Sequence, residues 1–322
     1  MKSTIITLTL LCLAIAGKAE KGVCTYVVSL NGNGDFKTIQ EAVEAIPDYD
    51  ERETKIFISA GVYHEKVVLP ESKKNVLFIG EDKETTILSY DNYATMKNTD
   101  GKNIGTAGTA TFYIYGDDFK AENMTFENTA GPIAQAVAVF VAGDRTVFQN
   151  CIFKGYHGTL YTFGKTSRQL YRNCYIEGCV DFIFGASTAF FDKCQIHCLR
   201  SGIITAASTQ KEIKYGYVFK ECCITAEPDV ENKVYLGRPW RHYAKTVFID
   251  CTMGDFIIPC GWNNWKSEEK EKTAFYGEYN SRDYNGKETD LSQRVTWTHA
   301  INPHDYSIDK VLSDANKPEW YR

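Results

Sequence analysis

The stretch Phe148–Phe153 reads FQNCIF, and close copies follow it down the chain: YRNCYI (Tyr171–Ile176), FDKCQI (Phe191–Ile196), FKECCI (Phe219–Ile224) and FIDCTM (Phe248–Met253). The rule is an aromatic, two mostly polar residues, Cys, any residue, then an apolar one. A looser copy, AENMTF, precedes them at Ala121–Phe126. Successive fourth positions lie 27, 23, 20, 28 and 29 residues apart. A recurrence on that scale, with one short β-like segment per copy, marks a solenoid. The segments are short and rich in aromatic and β-branched residues, and few helical periodicities lie between them. This favours an all-β, single-stranded parallel β-helix over a leucine-rich or helical repeat. Rungs about 4.8 Å apart would stack like residues into interior ladders, here Cys or Met beside aromatic and Ile.

Cysteine suits such an interior because it is small and soft. The repeat cysteines therefore read as buried thiols; the alternative is a bridge between Cys174 and Cys194, one short rung apart. The chain has 322 residues and eleven cysteines, ten of them beyond residue 19. No CxxC pair, zinc-like Cys/His spacing, HExxH, complete phosphate loop or GxSxG elbow occurs. The sequence calls for no metal or other cofactor.

Composition sets the class. The chain is 43% hydrophobic and 24% charged, with a formal charge of −5, so it can bury a core and carries no excess of positive charge for nucleic acid. Its first residues, MKSTIITLTLLCLAIAGKAE, have Lys2, an apolar run from Ile5 to Ala16, and small residues after it. That is the layout of a secretory signal peptide over residues 1–19, with the functional domain over 20–322. The run is short for a membrane span. The expected product is a secreted or periplasmic monomer with no membrane span.

Solenoid ends need caps. In TIQEAVEAI (Thr38–Ile46), Thr38 and Glu41 have capping-box spacing, and Ile39, Ala42, Val43 and Ile46 share one helical face before Pro47. This helix is expected to plug the N-terminal end. The polar, turn-rich tail after about Ser281 is expected to pack along the outside.

Four segments carry chemistry: GVYHE (Gly61–Glu65), QAVAV (Gln135–Val139), VDFIFG (Val180–Gly185) and YLGRPW (Tyr235–Trp240). Asp181 stands inside an apolar run, where a carboxylate costs free energy unless something pairs with it or uses it. Stacked rungs would bring Gln135, Asp181 and Arg238 to one groove. The order and wording of these segments resemble the pectin methylesterase family, over about Val27 to Trp297. GRPW followed by GWNNW (Gly261–Trp265) resembles its bacterial members more than its plant ones.

The resemblance implies a right-handed parallel β-helix that hydrolyses the methyl esters of homogalacturonan, its polysaccharide partner. It implies Asp181 as nucleophile, Arg238 holding Asp181 ionised and oriented, and Gln135 donating to the oxyanion. Trp240, with Tyr161 beside it, would bind sugar. Glu65 reads as structural. The chain departs from the family pattern in YHGTLY (Tyr156–Tyr161): His157 replaces a Gln, and Gly158 replaces the Asp that serves the family as general acid. Cys179 is a smaller departure. Two readings follow: an esterase in which His157 or water substitutes for the acid, or a pectin-binding pseudoenzyme.

Overall fold

The computed structural model describes residues 23–230 and 233–322. The signal peptide expected over residues 1–19 lies outside the described residues.

Successive coils pair in parallel throughout. One ten-stranded sheet runs from Val23–Val28 to Phe275–Tyr279. A thirteen-stranded system forms the other walls, and two long strands, Tyr175–Gly185 and Gln195–Ala207, run through both of its columns. The expected parallel β-helix is the fold.

The hexapeptide, read from sequence as one β segment, is two strands and a corner. Its first two residues end a strand of the ten-stranded sheet, as Phe148 and Gln149 end Thr146–Gln149, and its last two open a strand of the other system, as in Ile152–Lys154. Its third residue turns the chain with a left-handed backbone: φ is 53° at Asn150, Asn173, Lys193 and Glu221, and 55° at Asp250. Asn tolerates this region better than most residues, whereas Lys and Glu are held there by the coils on either side. Asn150 donates to the Asn123 side chain one coil below at 2.7 Å, so the corner has its own polar ladder.

Inside the corner the fourth position points to the core. Cys151, Cys174, Cys194, Cys222 and Cys251 are buried free thiols. Four of them donate to the carbonyl of the aromatic residue one coil back: Cys174 to Phe148, Cys194 to Tyr171, Cys222 to Phe191 and Cys251 to Phe219, at 3.3–3.5 Å. Beside them the aromatics stack in one column. Ring centroids are 4.8 Å apart for Tyr171–Phe191, 4.3 Å for Phe191–Phe219 and 4.4 Å for Phe219–Phe248.

The N-terminal end is closed as its sequence requires. The helix Ile39–Ala45 carries both halves of the capping box, Thr38 and Glu41, and buries Ile39, Ala42 and Val43. Glu65 accepts from the backbone N–H groups of Ile39 and Gln40 at 2.8 and 3.0 Å, so it caps this helix from the next turn of the coil. The C-terminal tail packs outside the ten-stranded sheet. Val311, Leu312, Trp320 and Tyr321 cover Leu170, Phe190 and Val218, and Arg168 joins Asp144 to Asp314 at 2.5 and 2.7 Å.

One row of the thirteen-stranded system places the site. Val68, Tyr113, Phe140, Tyr161, Phe184 and Ala206 are paired in register from strand to strand. The side chains from Tyr113 to Ala206 in this row form an apolar cluster with Trp240 and Trp265, apart from the main core. This row is an aromatic floor on the outer face.

Candidate active site

Asp181 lies in the middle of Tyr175–Gly185, flanked by Phe182 and Ile183, which are fully buried. The pairing with Gln195–Ala207 slips around Val180, and Asp181 has a φ of 49°. A non-glycine residue with left-handed backbone in a strand is strained, and such strain collects at functional sites. The slip turns the carboxylate onto the outer face.

Arg238 meets it there. The strand Val234–Gly237 ends just before it, and the backbone N–H groups of Arg238 and Trp240 donate to Thr205 and Ala207 at 2.9 and 3.0 Å. Arg238 Nε donates to Asp181 Oδ1 at 2.9 Å and Nη2 to Oδ2 at 2.6 Å. This is a bidentate fork, which fixes the plane of the carboxylate as well as its charge. The Trp265 ring covers the guanidinium at 3.7 Å. The pair is mostly buried, with side-chain exposures of 20% for Asp181 and 22% for Arg238. Burial pushes the Asp181 carboxyl up, while Arg238 and His157 pull it down, and the net position is above the ordinary value of 3.8. Arg238 favours the ionised form, and loss of solvent, acting the other way, is the larger influence.

Gln135, His157 and Val180 are bridged in one parallel column. The bridge sets position 158 abreast of Asp181 in the neighbouring coil. Gly158 donates its N–H to the Val180 carbonyl at 3.3 Å and has a φ of 76°. A Cβ there would meet the Phe184 ring at 3.1 Å. His157 is half-buried. Burial lowers its pKa from 6.5, the Asp181 charge opposes that, and Arg200 adds to it, so the imidazole is mainly neutral at pH 7. Gln135 is exposed at the rim.

These residues enclose one cavity of about 280 Å³, walled by Gln135, His157, Asp181, Phe184, Trp240 and Trp265. Five of the six sequence-predicted residues therefore come together: Asp181, Arg238, Gln135, His157 and Trp240. Tyr161 does not line this cavity. It stacks on Phe184 at 4.1 Å, is largely buried, and borders a neighbouring cavity that shares Trp240. Among the described residues, Asp181 is the only carboxylate lining its cavity. Among the described residues no group of three or more metal-ligating side chains occurs.

Sequence reasoning missed Trp265 and Thr106. GWNNW shows two tryptophans three residues apart, but not which faces inward. Trp262 enters the core against Tyr276 at 4.5 Å, and Trp265, at the end of a turn with a φ of 56°, faces the cavity. Thr106 opens a short 3-10 turn, Thr106–Gly108, that carries no sequence signal.

The described geometry has close counterparts. A family model described as Pectinesterase matches residues 25–310. The chain is 38% identical over 285 residues to the pectinesterase QRT1 of Arabidopsis thaliana, covering 85% of this chain and 73% of that one. It is 39% identical to a probable pectinesterase/pectinesterase inhibitor of Brassica napus, spanning 91% of this chain and only 51% of that protein. The solved pectin methylesterase from carrot superposes with a TM-score of 0.81 at 32% identity, covering 92% of this chain and 94% of its own. All three are plant proteins, so the bacterial resemblance read in GRPW and GWNNW is not carried by them. The fold is a right-handed parallel β-helix in these neighbours as here. With the family model matched over most of its length, the chain belongs to the pectinesterase family.

Proposed function

We propose that this protein is a secreted pectin methylesterase in which Asp181 is the nucleophile. The observation that carries the reading is the strained, buried Asp181 carboxylate held bidentately by Arg238 on the floor of an aromatic-walled cavity. An Asp181 oxygen attacks the carbonyl carbon of a galacturonate methyl ester, and the carbonyl electrons move to oxygen. The Gln135 amide at the rim donates to that oxyanion. Collapse expels the methoxy group, which takes a proton and leaves as methanol, and the acid remains joined to Asp181 as an anhydride. Water then hydrolyses the anhydride, which frees the galacturonate and restores the carboxylate. Trp240 and Trp265 present faces on which a sugar ring stacks.

Proton transfer falls to His157. Its protonated form supplies the proton methanol needs, and its neutral form accepts one from the attacking water. Gly158 supports a second reading: with no other carboxylate among the described residues lining the cavity, the groove binds pectin without turning it over. Methanol release from highly esterified pectin, measured for the mature protein and Asp181→Ala, decides between them. Release abolished by the substitution supports the esterase. No release from either protein, with pectin still bound, supports the binding protein.

A further inference from the structure

The two tryptophan walls of the Asp181 cavity come from separate segments. Trp240 follows the strand Val234–Gly237, and Trp265 follows the bridge between Gly237 and Trp262. The second segment is strained: Trp265 and Lys266 both have left-handed backbones, with φ of 56° and 55°. Two such residues in a row cost free energy, and the conformation persists only where its surroundings fix it. Part of the fixing is local. Asn263 and Asn264 accept from the N–H groups of Trp265 and Lys266, each at 2.8 Å, and Asn264 donates to Glu271 at 2.7 Å. None of these side-chain bonds reaches Trp240.

Lys270 does. It stands on the short helix Glu268–Glu271 and donates to the Trp240 carbonyl at 3.2 Å, while the same ammonium lies over the Trp265 ring at 5.1 Å. Arg238 lies over that ring too, at 3.7 Å. Burial, Arg241 and Arg238 all push the Lys270 pKa below the ordinary lysine value, and among the described residues no carboxylate pulls it back. Lys272, two residues on, is the contrast: it pairs with Glu269 at 2.7 Å in open solvent. The place of Lys270 is therefore set by a carbonyl and an aromatic ring, against the repulsion of two guanidinium groups.

The geometry points to Lys270 as a positioning residue: it pins the Trp265 wall to the Trp240 wall, so that the Trp265 ring stays over Arg238 and the Arg238 fork stays on Asp181. The inference rests on the esterase reading of Asp181 and adds a residue that acts on the nucleophile without touching it. The contacts run from Lys270 to Trp265, from Trp265 to Arg238, and from Arg238 to Asp181. Without the pin the turn at Trp265 and Lys266 relaxes, the ring leaves the guanidinium, and Arg238 gains solvent and rotamer freedom at the expense of the fork.

The test is Lys270→Met, which keeps the reach of the side chain and removes its charge and its donor. Loss of one charge-assisted hydrogen bond lowers kcat/KM for methanol release from esterified pectin by about tenfold. The acid limb of the pH–rate profile moves to higher pH, because Arg238 and His157 hold the Asp181 carboxyl down and one of them is loosened. Lys270→Arg, which restores the donor and the cation over the ring, recovers most of the rate and returns the limb. In a Trp265→Leu background the Met substitution changes the rate by less than about twofold, since the residue through which Lys270 acts is gone. Wild-type kcat/KM in Lys270→Met, a rate loss with an unmoved acid limb, or the same loss in both backgrounds overturns the proposal. A thermal melt accompanies each variant, and Lys270→Gln, polar at this half-buried position, takes the place of the Met variant should that one unfold. Should wild type release no methanol, the esterase reading fails on its own. The pin is then judged by acrylamide quenching of tryptophan fluorescence: stronger quenching in Lys270→Met than in wild type and Lys270→Arg upholds it, and equal quenching overturns it.

Discussion

Gly158→Asp should raise the rate of methanol release. Position 158 stands abreast of Asp181, and among the described residues no other acid lines the cavity. If the missing acid limits turnover, restoring it returns a factor of about 10²–10⁴. The cost falls on stability. A left-handed backbone penalises a side chain by about 1–2 kcal/mol, with Asp at the low end because its carboxylate bonds locally. The new Cβ meets Phe184 at 3.1 Å, and Phe184 is backed by Tyr161 at 4.1 Å, so the ring yields only a little. Overpacking of this kind adds about 1 kcal/mol, for a total of about 2 kcal/mol, or a fall of several degrees in Tm. A second carboxylate beside Asp181 also raises the apparent pKa of the pair, so the acid limb of the pH–rate profile moves to higher pH. The assay is initial-rate methanol release with a thermal melt, run beside Gly158→Asn. The Asn variant carries the same steric cost and no titratable proton, so it should lose the stability and gain no rate. A folded Gly158→Asp variant that is no faster than wild type refutes the assignment of this position as the vacant seat of the acid.

Three further outcomes are expected. The pH–rate profile should be a narrow bell centred on the acid side of 6.5: activity appears as Asp181 ionises at its raised pKa and declines as His157 deprotonates at its lowered one. His157→Ala should remove the alkaline limb, and an unaltered limb would exclude His157 from proton transfer. Arg238→Leu leaves Asp181 with the burial that raises its pKa and without the partner that lowers it. Its acid limb should shift upward and methanol release at neutral pH should fall by about 10² or more, given a strength of about 3 kcal/mol for a charge-assisted bidentate pair. Phe219→Ala opens a hole between Phe191 and Phe248, whose rings lie 4.3 and 4.4 Å from it, and should cost about 3–5 kcal/mol in denaturant unfolding while leaving kcat of the folded fraction unchanged.

What could be read from sequence divides along physical lines. Interior ladders were legible because stacked coils repeat residue type, so FQNCIF and its copies announce both period and core. The corner at the third position was not, because Asn, Lys, Glu and Asp share no property except the backbone they adopt. Asp181 and Arg238 were legible as a pair, since a carboxylate in an apolar strand demands one. The direction of the Asp181 shift was not, for it is a difference between two large opposing effects, and only coordinates supply the burial. That difference bears directly on reactivity. A carboxylate in water is a weak nucleophile because it is well solvated and weakly basic. Burial strips the solvent and raises its basicity, but alone would leave it protonated. The Arg238 fork opposes protonation and is itself held flat under Trp265. The site therefore needs both influences at once, a carboxyl made more basic by burial and kept ionised by a fixed guanidinium, and neither residue read singly reveals the balance.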